Sequence, residues 1–344
     1  MMQRRRQRLH EEIAGWAMEH AGTSLDLDED LEQAGLEMSI KPARRERVNE
    51  PPDGPAAVLL GRYLDGDISA AVTIAALIAG VGDVEVARGA VAPAAAADPR
   101  LVPVLTLLDA HAAACAPIAP LLLEHPDPEA PASSPADALA LCRRFFDRAV
   151  KRSEEASVAL YSLGDPAILA RATAEVVDLF ARWGLLAAGR DALEIGCGIG
   201  RIQAALAGRL HCVWGVDLSL AMLAAARRRT RGAPAGRLGF ALTAGRDLEL
   251  FAGARFDLVY AVDSFPYLHS AGPGLVAAHV AEAARVLVPG GDLAILNFSY
   301  RGDLDLDSLE LAELCDAHGL VPEVLGQQPF ALWDGAAFLA RKPR

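Results

Sequence analysis

The stretch Asp191-Ala-Leu-Glu194-Ile-Gly196-Cys197-Gly198-Ile-Gly200-Arg201 decides the fold of this 344-residue chain. A short apolar run leads into three glycines, and a helical pattern follows over residues 202–210. Glycines let the backbone turn tightly and let a ligand approach the chain closely, because no Cβ stands in the way. The following helix offers unpaired N–H groups and the positive end of its dipole. We therefore predict a loop that binds either a nicotinamide dinucleotide or another adenosine-containing ligand.

The spacing of the glycines helps to separate these two alternatives. The dinucleotide fingerprint G-x-G-x-x-G needs its third glycine where Arg201 stands. Glu194, two residues before the first glycine, would repel a pyrophosphate but can accept hydrogen bonds from an ammonium group. Asp217 follows Gly200 by 17 residues and ends the next β-like run, where a carboxylate can bind both ribose hydroxyls. This combination favours an adenosine ligand that carries an ammonium group.

Short β-like runs alternate with helical patterns through the second half of the chain, which indicates βαβ units and a parallel sheet. The runs cover residues 192–196, 212–217, 238–242, 256–262, 292–298, 321–325 and 336–340. Asp334-Gly335, between residues 330–333 and 336–340, is a strong two-residue hairpin signal. The predicted fold class is α/β, with a mostly parallel sheet and a C-terminal antiparallel hairpin. We expect Trp333 to support this hairpin rather than a substrate.

These residues resemble the class I S-adenosylmethionine-dependent methyltransferases. The resemblance covers residues 155–344 and rests on four motifs: residues 193–201, Gly215-Val-Asp-Leu-Ser219 with Met222, Phe256-Asp-Leu-Val259, and Ala284-Arg-Val-Leu-Val-Pro-Gly-Gly291. It implies a seven-stranded Rossmann-like sheet that binds S-adenosylmethionine across the carboxyl ends of its strands.

The same resemblance implies which residues contact the cofactor. Glu194 and residues 196–200 would surround the methionine part, and Asp217 would hold the ribose. Residues 245–248 match the segment that contacts the adenine edge, although Ala244 replaces an acid common there in the family. The predicted cofactor-binding set is Glu194, Gly196, Cys197, Gly198, Gly200, Arg201, Asp217, Leu218, Met222, Gly245, Arg246, Asp247 and Asp263. No metal site is predicted.

Three residues are candidates for catalysis. Methyl transfer requires an aligned nucleophile, exclusion of water and, for some acceptors, removal of a proton. Asp263 and His269 follow the fourth β-like run, and Tyr161 precedes the helix that leads into the first. The alternatives are that His269 is an ordinary surface histidine and that Tyr161, like Tyr267 and Tyr300, only packs with its hydroxyl in water.

Charge and composition favour a small-molecule acceptor. Residues 263–267, Asp-Ser-Phe-Pro-Tyr, are similar to the Asp-Pro-Pro-Tyr set of amino-methylating nucleic-acid enzymes but contain an extra residue. The net charge of −12 also argues against a surface that neutralises phosphates. The most apolar stretch, residues 69–81, is too short to span a membrane. The five cysteines form no Cys-x-x-Cys pair, so a reducing cytoplasm is the expected location.

The first 150 residues differ in character, with 14 Lys and Arg against 23 Asp and Glu. Apolar residues recur at helical spacing over residues 9–18, 56–64, 68–78 and 101–123, and residues 26–32 form an acidic run. Prolines in residues 125–135 indicate a linker, and Ser134 with Pro135 then begins a helix. The predicted domains are an all-α N-terminal domain over residues 1–124, a linker over 125–137 and a cofactor-binding domain over 138–344.

The predicted activity is transfer of a methyl group from S-adenosylmethionine to an O, N or C nucleophile. One alternative is a non-catalytic S-adenosylmethionine-binding interaction protein. The other is a nicotinamide-dependent oxidoreductase, which the glycine spacing disfavours. The N-terminal helices could pack on the catalytic domain, shape the acceptor pocket or form a homodimer, and the sequence leaves these three alternatives open.

Overall fold

The computed structural model describes residues 54–119, 122, 134–234 and 236–344. The helical pattern at residues 9–18, the acidic run at 26–32 and most of the linker at 125–137 lie outside the described residues. In the part of the chain that is described, no helix is both long and apolar enough to cross a bilayer.

The described N-terminal part is helical. Its helices are α1 (Pro55–Leu64), α2 (Ala70–Val81), α3 (Val84–Ala97) and α4 (Val102–Cys115). Three of them fall on predicted helical segments, whereas α3 was not predicted. Its buried face consists mainly of alanines, and Pro93 interrupts its pattern, so its apolar periodicity is weak.

Three further helices connect this part to the sheet: α5 (Pro135–Arg152), α6 (Glu154–Val158) and α7 (Pro166–Arg182). The start of α5 is confirmed, because the Ser134 hydroxyl accepts a hydrogen bond from the Asp137 N–H at 3.2 Å and Pro135 lies in the first turn. Ala156, Leu163 and Ile168 are buried in the same apolar cluster as α1–α4. The N-terminal helices therefore pack against the connection into the sheet.

The described residues form one seven-stranded sheet, which confirms the predicted fold class. The strands are β1 (Asp191–Ile195), β2 (Cys212–Asp217), β3 (Leu238–Leu242), β4 (Phe256–Val262), β5 (Leu287–Leu296), β6 (Val321–Gln327) and β7 (Ala337–Arg341). Their spatial order is β3-β2-β1-β4-β5-β7-β6. The first five strands pair in parallel, and β7 is antiparallel to both β5 and β6. The strand order reverses between β1 and β4, where open α/β sheets bind ligands.

Helices cover both faces of the sheet. Those that follow β1 are α8 (Arg201–Leu206), α9 (Leu220–Arg229), α10 (Phe265–Ala271), α11 (Pro273–Val286) and α12 (Leu304–Ala317). Alternate residues of β4 enter different apolar clusters: Val259 is buried with α11, and Leu258 with α7. The sheet is thus buried on both sides, and its carboxyl edge is left for the site.

The predicted turn of the C-terminal hairpin is wrong. Residues 330–333 do not form a strand, because β6 and β7 are the paired strands and residues 328–336 connect them. Trp333 lies outside the sheet. Its ring stacks on Phe330, with centroids 4.4 Å apart, and on Tyr161, with centroids 5.7 Å apart. Burial of these rings takes the place of strand pairing, so Asp334-Gly335 does not form a two-residue turn.

Candidate active site

The glycine loop joins β1 to α8. Gly196, Gly198 and Gly200 have φ values of +74°, +52° and +70°, a region that residues with a Cβ rarely adopt. A Cβ on Gly196 would lie 2.4 Å from Ser264 Cβ, and one on Gly198 would lie 2.7 Å from Val158 Cγ1. The loop therefore requires glycine for both its conformation and its space, which confirms the predicted tight turn.

Asp217 ends β2 and contacts this loop. Its Oδ2 accepts a hydrogen bond from the Gly198 N–H, and its Oδ1 accepts one from the Ser219 N–H, both at 2.8 Å. Burial raises the pKa of Asp217 to about 6, although these backbone bonds favour the charged form. A carboxylate oxygen has two lone pairs, so each oxygen can still accept a hydrogen bond from a hydroxyl group of a ligand.

A cavity of about 480 Å³ extends from this loop, a size typical of small-molecule sites. Leu218 and Met222 give it apolar walls: Leu218 packs near Leu139 of α5, and Met222 is buried beside Ile199. Most of the predicted cofactor residues line it, namely Gly196, Gly198, Asp217, Leu218, Met222, Gly245, Asp247 and Asp263.

The remaining predicted cofactor residues do not line this cavity: Glu194, Cys197, Gly200, Arg201 and Arg246. Glu194 is 2% exposed, accepts a hydrogen bond from Tyr260 Oη at 3.1 Å, and has its pKa raised to about 8 by burial. Arg201 is also buried and donates to Thr173 Oγ1 at 3.2 Å. Both side chains thus lie in the protein interior, and Arg246 is exposed.

Asp263 follows β4 and is held by groups that follow β5. Its Oδ1 accepts hydrogen bonds from Asn297 Nδ2 at 2.8 Å and from Tyr300 Oη at 2.9 Å. Asp263 and Asn297 both have positive φ, +58° and +71°, which Asp and Asn tolerate better than most residues. Burial raises the pKa of Asp263 to about 6, so its carboxylate is largely ionised at neutral pH.

Tyr161 lies in an aromatic part of the cavity wall. Burial raises its pKa to about 12, so at neutral pH its hydroxyl is a hydrogen-bond donor rather than a base. Tyr267 contacts Phe146 and Tyr300 at centroid distances of 5.0 and 5.8 Å. The aromatic residues that line the cavity are Phe145, Phe146, Tyr161, Tyr267, Tyr300 and Trp333. Trp333 was expected only to support the hairpin, and its place in this wall corrects that expectation.

The structure does not bring His269 into the cavity. Tyr267 and Leu268 on α10 line it, whereas the next residue points about 100° further around the helix. His269 Nε2 lies 3.4 Å from Glu310 Oε2 and 3.3 Å from the Arg301 guanidinium. Of the three catalytic candidates, Asp263 and Tyr161 therefore share the cavity, and His269 belongs to a charged cluster outside it.

One wall of the cavity is supplied by α2, a contribution that was not predicted from the sequence. Val72, Ala75, Ala76 and Ala79 line the cavity. Their spacing of i, i+3, i+4 and i+7 places them on one helix face, but the sequence does not tell which element that face meets. Within the residues that the structure describes, no group of three or more His, Cys, Asp or Glu side chains is arranged to hold a metal ion.

Part of this region is similar to a known protein family. Residues 192–291, less than half of the chain, match the family model for a methyltransferase domain. Methyltransferase GfsG of Streptomyces halstedii is 36% identical over 122 residues, which are 35% of this chain and 42% of that protein. O-methyltransferase cnsE of Penicillium expansum is 35% identical over 111 residues, which are 32% and 38% of the two chains. The matched part thus spans less than half the length of either relative.

Two solved structures are also similar. Phosphoethanolamine N-methyltransferase 1 of Haemonchus contortus, solved with phosphoethanolamine and S-adenosylhomocysteine, is 15% identical with a TM-score of 0.48 and covers 61% of this chain and 50% of that chain. Magnesium protoporphyrin IX methyltransferase of Synechocystis, solved with S-adenosylmethionine, is 16% identical with a TM-score of 0.45 and covers 60% and 97%. Residues 192–291 are thus similar to a methyltransferase domain, and the sheet order and the glycine loop are consistent with that similarity.

Proposed function

We propose that this chain transfers a methyl group from S-adenosylmethionine to a hydroxyl of a small, largely apolar molecule. One observation carries the proposal: a single cavity extends from Gly198 and Asp217 to an aromatic wall that includes Asp263. The names of the two relatives support methyl transfer, and one of them, an O-methyltransferase, supports oxygen as the acceptor atom.

The cofactor end of the cavity fits an adenosine. The Asp217 oxygens can accept the two ribose hydroxyls, and Leu218 and Met222 offer apolar surfaces for a flat base. The backbone at Gly196 and Gly198 has no side chain to obstruct the rest of the cofactor. When bound, S-adenosylmethionine supplies an electrophilic sulfonium methyl group.

Asp263 is the residue that we propose to take the proton from the acceptor hydroxyl. Its Oδ1 already accepts two hydrogen bonds, so Oδ2 is the oxygen that would receive the proton. A pKa of about 6 leaves it ionised at neutral pH and keeps its basicity close to the working pH. The Tyr161 hydroxyl would donate a hydrogen bond to the acceptor and help to align it.

A calorimetric titration tests the cofactor assignment. We expect S-adenosylmethionine and S-adenosylhomocysteine to bind with micromolar affinity and NADH not to bind. Binding of NADH alone would mean an oxidoreductase and would overturn the proposal.

Turnover distinguishes an enzyme from a non-catalytic binding protein. Purified protein is incubated with methyl-labelled S-adenosylmethionine and a cell-extract fraction rich in apolar hydroxylated compounds. Label in a small organic-soluble product supports the proposal. Tight cofactor binding with no labelled product from any extract would favour the non-catalytic alternative instead.

A further inference from the structure

The helix α11 reaches the cavity through a single side chain. Of its 14 residues, all of which the structure describes, His279 alone lines the cavity, and only 2% of its surface is exposed. Because the neighbouring turns of α11 stay behind the wall, the part of His279 that meets the open space is its imidazole ring. A buried ring with two nitrogen atoms therefore forms part of the cavity wall.

Hydrogen bonding fixes which nitrogen of this ring carries the proton. His279 Nδ1 lies 2.8 Å from the Leu275 carbonyl oxygen, one turn back along α11. A carbonyl oxygen only accepts, so Nδ1 must be the donor. Burial lowers the pKa of His279 below its usual value of 6.5, so the ring is neutral at pH 7. In a neutral imidazole the second nitrogen, Nε2, is then an acceptor without a proton.

This Nε2 atom is open to the cavity. It lies on the ring edge away from the bond to Leu275, and none of the described residues donates a hydrogen bond to it. The described side-chain atoms that are both unpaired and sealed from solvent belong to Arg301 and Trp333, so Nε2 is not sealed. Since His279 is almost wholly buried and lines the cavity, the accessible surface of Nε2 faces that cavity. Buried acceptors nearly always have a partner, which points to an atom of a bound molecule.

The ring lies at the end of the cavity where we propose that the cofactor base binds. One turn before His279, Leu275 packs in an apolar cluster with Leu218. Nearly one turn after it, Glu282 Oε2 accepts a hydrogen bond from the Leu248 N–H at 3.0 Å. Leu218 and Leu248 both line the cavity, and Leu218 directly follows the carboxylate proposed to bind the ribose. The ring is thus placed between two residues of the proposed adenosine site.

We propose that His279 is a specificity residue for the cofactor, whose Nε2 accepts a hydrogen bond from the exocyclic amino group of adenine. This inference rests on the proposed function and deepens it. Hypoxanthine, the base of inosine, has a carbonyl oxygen in place of that amino group. The lone pair of Nε2 would face this oxygen with no proton between them, so the site should reject an inosine analogue of the cofactor.

Asp247 is a second acceptor that lines the same cavity. Its side chain is only half-buried, and its Oδ1 accepts a hydrogen bond from the Glu249 N–H at 3.3 Å. Its carboxylate can therefore be satisfied by the backbone and by solvent. His279 Nε2 is more deeply buried and has no partner among the described residues, so the amino group is assigned to the histidine.

Two compounds that differ in one group test this acceptor. S-adenosylhomocysteine carries the amino group, and S-inosylhomocysteine carries an oxygen atom in its place. Both are titrated calorimetrically into the protein at about pH 8, where the ring is neutral. We expect the adenosine compound to bind at least about tenfold more tightly, the usual contribution of one hydrogen bond. In His279→Leu this preference should disappear.

Two variants control for the substitution and for the neighbouring carboxylate. His269→Leu makes the same change in a histidine outside the cavity and should keep the preference. Asp247→Asn removes the charge of the competing acceptor and should also keep it. A preference lost in Asp247→Asn and kept in His279→Leu would assign the amino group to Asp247 and overturn the inference.

Nitrogen resonances of the imidazole rings give a direct readout on the wild-type protein. Long-range proton–nitrogen correlations distinguish Nδ1 from Nε2, and His279→Leu identifies His279 among the eight histidines of the chain. If that variant does not fold, single variants of the other histidines assign the ring by elimination. S-adenosylhomocysteine should move the Nε2 resonance upfield, as expected for an acceptor nitrogen that gains a donor, and S-inosylhomocysteine should not.

Three further results would overturn the inference: equal affinities of the two compounds for the wild-type protein, a preference kept in His279→Leu, or an Nε2 resonance that S-adenosylhomocysteine does not move. In each of these cases, binding of S-adenosylhomocysteine would leave the proposed function standing. Failure of the wild-type protein to bind S-adenosylhomocysteine would instead contradict the proposed function itself.

Discussion

The Asp217 carboxylate accepts a hydrogen bond from the Gly198 backbone N–H at 2.8 Å, across 19 residues of sequence. This bond fixes the end of β2 against the glycine loop that follows β1. The loop conformation and the carboxylate position therefore depend on each other, which a pattern of glycines alone does not reveal.

Asp217→Asn should lower the affinity for S-adenosylhomocysteine at least about tenfold. An amide keeps the size of the side chain but offers one acceptor oxygen where the carboxylate offers two. Calorimetric titration measures the change, with Asp178→Asn on the exposed face of α7 as control. An unchanged affinity in Asp217→Asn would show that this carboxylate does not hold the ribose.

Glu194→Gln should stabilise the protein at pH 8 but not at pH 5. Burial raises the pKa of Glu194 from 4.5 to about 8, so folding favours the protonated form. The wild-type protein therefore loses stability as the pH rises from about 4.5 through about 8, and the uncharged glutamine avoids this loss. Urea unfolding at both pH values should show a difference on the order of a few kcal/mol at pH 8. An equal difference in unfolding free energy between variant and wild type at pH 5 and pH 8 would contradict the raised pKa of Glu194.

Gly196→Ala should weaken both the fold and cofactor binding. The new Cβ would meet Ser264 Cβ at 2.4 Å in a backbone with φ +74°. Gly184→Ala is the matched control, because Gly184 has φ +70° with nothing within 4 Å of the added Cβ. The control should cost about 1 kcal/mol of unfolding free energy from backbone strain alone, and Gly196→Ala should cost more. Similar losses in the two variants would mean that the loop relaxes around the clash.

Asp263→Asn should reduce kcat about 100-fold or more if this carboxylate removes the acceptor proton. Asparagine tolerates the positive φ at this position, so the backbone should be kept. His269→Ala, outside the cavity, should leave kcat within about twofold. If Asp263→Asn instead raises the Kd for S-adenosylhomocysteine at unchanged kcat, the carboxylate binds the cofactor and does not remove the acceptor proton.

Ala79→Leu should block the α2 side of the cavity. The added carbons would occupy space in the cavity that Ala79 lines, so binding of methyl naphthyl ketone, an apolar probe, should fall about tenfold or more, while S-adenosylhomocysteine binds as before. Ala96→Leu, an exposed position on α3, controls for the substitution itself. Equal binding of the ketone by both variants would show that α2 does not contribute to the proposed acceptor site.

The sequence predicted the features that local chemistry determines. The turn at Gly196–Gly200 and the carboxylate of Asp217 follow from short motifs, because neighbouring residues fix their conformation. Glu194 shows what such motifs do not predict. Its position before the loop was correct, but its side chain is turned toward Tyr260, 66 residues away, and not into the cavity.

The residues of the proposed acceptor side could not be predicted for the same reason. His269 and Tyr267 are two residues apart on one helix, and the packing of that helix decides which of them meets the cavity. Trp333 was assigned to a hairpin because Asp-Gly is a strong turn signal, but ring burial against Tyr161 prevails. The local sequence does not predict a contact between residues so far apart in the chain.

The Ser69–Leu332 hydrogen bond joins residues that are 263 positions apart in the chain. Closing so long a loop has a large entropic cost, which favours folding routes in which distant contacts form after local ones. We expect the glycine loop and central strands to form early in refolding, and the contact between α2 and the Trp333 loop to form late. A refolding molecule would then form the proposed cofactor site before the proposed acceptor site is complete.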